Sequence, residues 1–185
     1  PDEKYLLVAE INRGQNHVWY NRYSIETGKK INTLFEETND KWTEPEFDAV
    51  FLPKSTTNFL WFSERDGFMN LYEYTTEGKL AKQVTNFKWV VTGILGFDTK
   101  GQNVFVTGTG TDARESHTFK VNLKSGKYTR LTKVNGTHNS QLNTNGNYIL
   151  DSYSSLTIPN TIEVIDTEKG KTTSIYTAEN PLKEY

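Results

Sequence analysis

Four glycine-lysine pairs, Gly28-Lys29, Gly78-Lys79, Gly126-Lys127 and Gly170-Lys171, recur along this 185-residue chain, with their glycines 50, 48 and 44 residues apart. A period of this length constrains the fold more than any single motif, because each repeat must form one supersecondary unit that buries its faces on the next. Each glycine follows an apolar residue by six to eight positions (Tyr20, Tyr72, Phe119, Ile162) and precedes a short apolar-containing run: Ile31 and Leu34, Leu80 and Val84, Tyr128 and Leu131, or Ile175. Each unit therefore reads as strand, glycine turn, strand, with glycine supplying the positive φ of a tight turn.

A second repeat interleaves with the first. FDTKGQNVFV (97–106) aligns with LNTNGNYILD (142–151) around Gly101 and Gly146. VFLPKSTTNFLWF (50–62) is the same hairpin with a longer, glycine-free loop, and PDEKYLLVA (1–9) is the same hairpin met at its turn. Two hairpins per unit make four antiparallel strands in about 45 residues, the size of a β-propeller blade. The expected fold is all-β, a partial β-propeller of about four blades whose ring is not closed. It forms one domain over 1–185, with a truncated blade at 1–41 and blades at 46–87, 90–134 and 137–177. A sandwich would share the frequent turns but not the two-hairpin self-similarity. Tandem small domains would need linkers, and no Pro/Ser/Gly-rich segment separates the units.

Composition supports this class and excludes others. Aromatics make up 13% of the chain, and Phe119 to Lys124 alternates apolar and polar residues as a half-buried strand does. The net charge of −2, with acids and bases interspersed, gives no footprint for nucleic acid. There is no cysteine, hence no disulfide or thiolate metal site. The longest apolar stretch, Trp89 to Phe97, is too short to span a bilayer. The chain opens on Pro1 without a methionine or signal peptide, and reads as a piece of something longer.

Candidate reactive residues fare poorly. Ser63-Glu64-Arg65-Asp66-Gly67 sets a hydroxyl beside two acids and a base, but it falls in the connection between the second and third strands of its blade. The equivalents are Glu10 to Gln15, Thr107 to Glu115 and Asp151 to Pro159. It reads as a loop in which Arg65 pairs with Asp66 across the turn and Ser63 is dispensable. No G-x-S-x-G elbow occurs, and His17, His117 and His138 read as scattered surface or strand histidines without partners. Glu36 and Glu37 read as a solvated strand end. Asp112, Glu115 and His117 could at most hold a weak cation site, and a glycine-rich loop is the better reading. Asn135-Gly136-Thr137 is a glycosylation sequon of a kind common by chance. No catalytic, binding or metal residue is assigned, and no cofactor.

The wording of the Ser63 loop also carries a resemblance. Trp61-Phe62-Ser63-Glu64-Arg65-Asp66-Gly67-Phe68-Met69-Asn70-Leu71-Tyr72 resembles the W-x-S-E-R-D-G-W-x-H-L-Y stretch in propellers of the dipeptidyl peptidase IV branch of the prolyl oligopeptidase family. Trp42 to Phe47 is similar to the start of that blade, and Val84-Thr85 with Trp89-Val90-Val91 to its L-T-x-G-x-W-x-V link. Asp151-Ser152-Tyr153-Ser154-Ser155 is similar to the family's D-x-Y-S step before the last hairpin. The resemblance implies the C-terminal half of an eight-bladed propeller that caps an α/β-hydrolase domain in cis, with 178–185 as the connector. The family's enzymes release dipeptides with Pro or Ala second from peptide N-termini, using a Ser/Asp/His triad outside this chain. The implied role is to wall and gate the substrate chamber, with peptide substrate as a partner only in the full-length enzyme. The implied location is periplasmic, secreted or cell-surface. The family's glutamate pair and arginine for substrate lie in earlier segments, so Glu36 and Glu37 do not inherit that role. A stand-alone interaction scaffold and a carbohydrate-binding or lyase-type propeller are the rival functions. Unpaired edges and faces imply self-association of the chain.

Overall fold

The computed structural model describes residues 3–180, and within them the chain is built from strands alone. Fifteen strands form four antiparallel sheets, each a meander in chain order, and none closes into a barrel. The first sheet has three strands, β1 (Tyr5–Ile11), β2 (His17–Ser24) and β3 (Lys30–Thr38). The second joins β4 (Val50–Phe51), β5 (Asn58–Ser63), β6 (Asn70–Thr75) and β7 (Leu80–Gln83). The third joins β8 (Val91–Phe97), β9 (Asn103–Gly108), β10 (His117–Asn122) and β11 (Tyr128–Arg130). The fourth joins β12 (Thr137–Leu142), β13 (Tyr148–Ser154), β14 (Thr161–Asp166) and β15 (Thr172–Thr177). This is a partial β-propeller-type fold whose first sheet is one strand short.

The chain divides into two compact units, with the boundary between Asn86 and Phe87. Unit 1 holds the first two sheets and unit 2 the last two. In unit 1, Tyr20, Leu34, Phe59, Trp61, Tyr72 and Tyr74 form one buried cluster that joins the two sheets. Phe35 stacks on Tyr74 with ring centroids 3.9 Å apart, and Tyr20 meets Trp61 at 4.5 Å. Such aromatic burial stabilises by about 1.5–3 kcal/mol per side chain, which explains the aromatic-rich composition. In unit 2 the corresponding cluster is Phe105, Leu131, Ile149 and Ile165.

All four glycine-lysine turns lie between the last two strands of their sheets, with φ of +65° at Gly28, +88° at Gly78, +68° at Gly126 and +64° at Gly170. They are not equivalent in space. A Cβ on Gly28 would meet nothing within 4 Å, whereas one on Gly78 would sit 2.1 Å from the Leu34 carbonyl oxygen. Gly78 is thus where the second sheet's turn presses on the backbone of β3.

The connections leading out of β1, β5, β9 and β13 start one to four residues later than the sequence pattern suggests. They cover 12–16, 64–69, 109–116 and 155–160. Ser63 is therefore the last residue of β5 and Asp151 lies inside β13, both with buried side chains. Of the expected connector 178–185, residues 181–185 lie outside the described residues.

Candidate functional site

Glu36 and Glu37 are adjacent on β3, and successive strand residues point to opposite faces. They cannot close on one ligand. Glu36 faces His17, with Oε2 2.8 Å from its Nε2, and the His17 ring stacks on Trp19 at 3.8 Å. Glu36 is the solvated residue that the sequence suggests, with 51% of its side chain exposed.

Glu37 is not solvated. Its register opposite Val18 turns it toward β5, leaving only 16% of its side chain exposed. Glu37 Oε1 accepts from Trp61 Nε1 at 3.1 Å and from Arg65 Nη2, and Oε2 accepts from Ser63 Oγ at 2.9 Å. Arg65 Nε in turn donates to Ser63 Oγ at 2.9 Å, and the guanidinium lies 4.3 Å over the Tyr72 ring. Burial alone would push the Arg65 guanidinium down, but the Glu37 charge and further hydrogen bonds leave it above its ordinary value.

Two expectations are corrected here. Arg65 pairs with Glu37 on another strand rather than with Asp66 across its own turn, because the turn at Gly67 leaves it against β3. Asp66 instead accepts from Tyr72 Oη at 2.5 Å and Gln83 Nε2 at 3.0 Å. Ser63, read as a dispensable loop hydroxyl, is 2% exposed and carries the centre of the network. A cleft of about 230 Å³ opens beside it, lined by Glu37, Trp42, Glu44, Trp61, Ser63 and Arg65 among others.

In unit 2 the histidines are neither scattered nor unpartnered. His117 on β10 and His138 on β12 are both buried, with ring centroids 5.1 Å apart. His138 Nδ1 lies 2.6 Å from Asp151 Oδ2 and its Nε2 lies 2.9 Å from the Val134 carbonyl oxygen. Both ring nitrogens are thus engaged, one by a side chain of β13 and one by a backbone carbonyl. Ser140 Oγ donates to Asp151 Oδ1 at 2.7 Å and accepts from Thr118 Oγ1 at 2.7 Å. Tyr153 stacks on His138 at 4.7 Å. Burial, then the Asp151 charge, pushes Glu163 on the neighbouring strand up.

His117 faces Thr132 Oγ1 at 3.2 Å and Glu115 Oε2 at 2.8 Å. Burial pushes it below its ordinary value, although the Glu115 hydrogen bond works the other way. Asp112 belongs to a separate pair. Arg114 donates to both its oxygens, at 3.0 and 2.7 Å, and those hydrogen bonds bring its carboxyl down to about 2. Among the described residues, no three His, Asp or Glu side chains are grouped as a metal site would need. Asn135 of the sequon is exposed, and its Oδ1 accepts from Arg130 Nη2 at 3.1 Å.

The chemistry of both networks is now defined. The Ser63 hydroxyl donates to Glu37 and that of Ser140 to Asp151, so neither points at an imidazole that could take its proton. These are buried polar buckles between strands and sheets. Sequence reasoning missed them, although one signal was available. Counting outward from the Gly146 turn pairs Leu142 with Ile149 and Ser140 with Asp151, which puts His138 one step along the same face.

Residues 1–160 match the model of the family described as the dipeptidyl peptidase IV (DPP IV) N-terminal region. The chain belongs to that family. Among solved structures, this DPP IV N-terminal-region chain is similar to a candidate dipeptidyl aminopeptidase IV from Bacteroides ovatus ATCC 8483, at 35% identity and a TM-score of 0.90. That match covers 100% of this chain and 29% of the Bacteroides chain. The Porphyromonas gingivalis dipeptidyl peptidase 4 shares its fold, with a TM-score of 0.79 at 22% identity, covering 97% of this chain and 25% of that one. The chain thus spans under a third of the length of either protein. No helix among the described residues is long and apolar enough to cross a membrane.

Proposed function

We propose that this chain is the non-catalytic propeller segment of a dipeptidyl peptidase IV-like serine peptidase. In the parent protein it would wall and gate the substrate chamber of an α/β-hydrolase domain carried in cis, with peptides as substrate. The four sheets would be consecutive blades of one propeller domain, and the residues from Ala178 onward would lead to the hydrolase domain. The observation that carries the reading is the family match over 1–160. The hydroxyl directions support it, since Ser63 and Ser140 are both committed to carboxylates. The short β5–β6 connection carrying Arg65, held by Glu37, suits a chamber wall better than a reacting centre.

The test compares two proteins on a glycyl-prolyl chromogenic substrate. The 185-residue chain is expected to give the buffer rate. The full product of the gene is expected to hydrolyse the substrate and to be blocked by a serine-directed inhibitor. An inhibitor-sensitive rate from the short chain that survives repurification would refute the non-catalytic assignment. A full product without a G-x-S-x-G segment would refute the peptidase parent.

A further inference from the structure

The chain contains two Asn-Gly dipeptides, Asn135-Gly136 just ahead of β12 and Asn145-Gly146 in the β12–β13 turn. An asparagine before glycine is open to attack by the following backbone nitrogen on its own side-chain amide, because glycine has no side chain to crowd the ring that forms. Both asparagines are exposed and both glycines are buried. The glycine N–H separates them. Gly146 donates to the Asn143 carbonyl at 2.9 Å, and Asn143 Oδ1 accepts from the Asn147 and Tyr148 amides, so that turn is closed on itself. The Gly136 N–H donates to nothing among the described residues. Its carbonyl alone is engaged, accepting from Ser116 N at 3.2 Å.

The Asn135 side chain is set up for the same attack. Arg130 Nη2 donates to its Oδ1 at 3.1 Å, which draws electron density from Cγ, while Nδ2 is held by nothing among the described residues. Arg130 is itself fixed, with Nε donating to the Thr132 carbonyl at 2.5 Å and Nη2 to the Val134 carbonyl at 2.9 Å. The fold also requires the glycine. Gly136 has φ +154°, and a Cβ there would sit 2.5 Å from the Ser154 carbonyl oxygen. The close approach of the end of β13 therefore keeps the labile pair in place.

From this we infer that Asn135 is a site of spontaneous modification, where the chain closes a succinimide on itself and water opens it to aspartate or isoaspartate. Solvent base takes the Gly136 amide proton, and the nitrogen attacks Asn135 Cγ. The N–Cγ bond forms, the Cγ–Nδ2 bond breaks, and Nδ2 takes a proton from water and leaves as ammonia. Water then adds to one of the two ring carbonyls. Breaking the N–Cγ bond gives aspartate. Breaking the bond from the Gly136 nitrogen to the Asn135 backbone carbonyl carbon gives isoaspartate, with one more carbon in the main chain. Aspartate would face Arg130 with a carboxylate in place of the amide. Isoaspartate would lengthen the loop whose Val134 carbonyl faces His138 Nε2 at 2.9 Å, so the change reaches the buried His138–Asp151 network. The site stands whether or not the parent is a peptidase, because it rests on unit 2 alone.

The experiment incubates the folded 185-residue chain in heavy-oxygen water at mildly alkaline pH. Peptide mass spectrometry, with fragmentation that separates aspartate from isoaspartate, follows each asparagine. Label should enter at Asn135 about tenfold faster than at Asn145, the factor that breaking one hydrogen bond of the Gly146 turn imposes. In urea the two rates should converge, because the two dipeptides are then equally free. The rate at Asn135 should rise with pH as the Gly136 nitrogen loses its proton more readily. Asn135→Gln, whose side chain must close a larger ring, should remove the main acidic species resolved by ion exchange while leaving the melting midpoint unchanged. Label that enters Asn145 as fast as Asn135 in the folded chain, a rate ratio that persists in urea, no label at Asn135, or an acidic species that survives Asn135→Gln would each overturn the assignment.

Discussion

Replacing Ser63 with alanine removes one oxygen from the chain and leaves three polar groups without a partner. Glu37 Oε2 loses the donor 2.9 Å away, and the Arg65 amide and Nε lose acceptors at 3.2 and 2.9 Å. A hydrogen bond to a charged group contributes about 1.5–3 kcal/mol, and orphaned buried partners cost at the upper end of that range. Two features reduce the sum. Glu37 keeps Trp61 and Arg65, and water reaches the pair, whose side chains are 16% and 29% exposed. The expected loss is about 1.5–3 kcal/mol, well above the ~0.5 kcal/mol of an ordinary surface site. Urea unfolding followed by tryptophan fluorescence reads it as a lower midpoint at unchanged slope. Glu37→Gln keeps the shape of the side chain but removes the charge facing Arg65. Combining it with Ser63→Ala should reveal a coupling of about 1 kcal/mol or more, since the two groups touch. A Ser63→Ala loss below about 0.5 kcal/mol, or strict additivity with Glu37→Gln, would show that the buckle contributes no net stability.

Gly78→Ala should destabilise far more than Gly28→Ala, although both glycines have positive φ. The latter should cost about 1–2 kcal/mol for a left-handed alanine, the former several times that through collision with the Leu34 carbonyl; equal melting points would refute the clash. His117 is pushed below its unfolded value of 6.5, so the unfolded chain binds the extra proton first and stability should fall as pH drops from 6.5 through the folded value. Glu163, pushed up by burial, contributes stability that is lost as pH rises through its folded value, so the histidine is isolated by comparison with His117→Gln. That variant should flatten the acid-side slope, by at most about 1.4 kcal/mol per pH unit, and an unchanged slope would exclude His117 as its source. The edge strand β1 exposes Tyr5, Leu6 and Ile11, so the isolated chain should self-associate. Light scattering over a concentration series would refute this with a constant monomer mass.

The all-β class, the two-hairpin unit and the four glycine turns could be read from residue order, because they rest on local chemistry. Alternation of apolar and polar side chains specifies a strand, and a tight turn with positive φ specifies glycine. Phe119 to Lys124 and the turns at Gly28, Gly78, Gly126 and Gly170 depend on nothing distant. The roles of Ser63, Arg65, Glu37, His138 and Asp151 depend on it entirely. Ser63 and Glu37 lie 26 residues apart and meet only because the first two sheets pack face to face. Local chemistry puts Arg65 next to Asp66 in a turn, and only the packing of β3 on β5 offers it a better-placed carboxylate. The same holds for glycine: Gly28 and Gly78 share a motif and a φ, but only the neighbouring sheet makes Gly78 irreplaceable. Strand and turn formation are short-range in the chain, whereas burial and charge pairing belong to contacts that exist only once the sheets have packed.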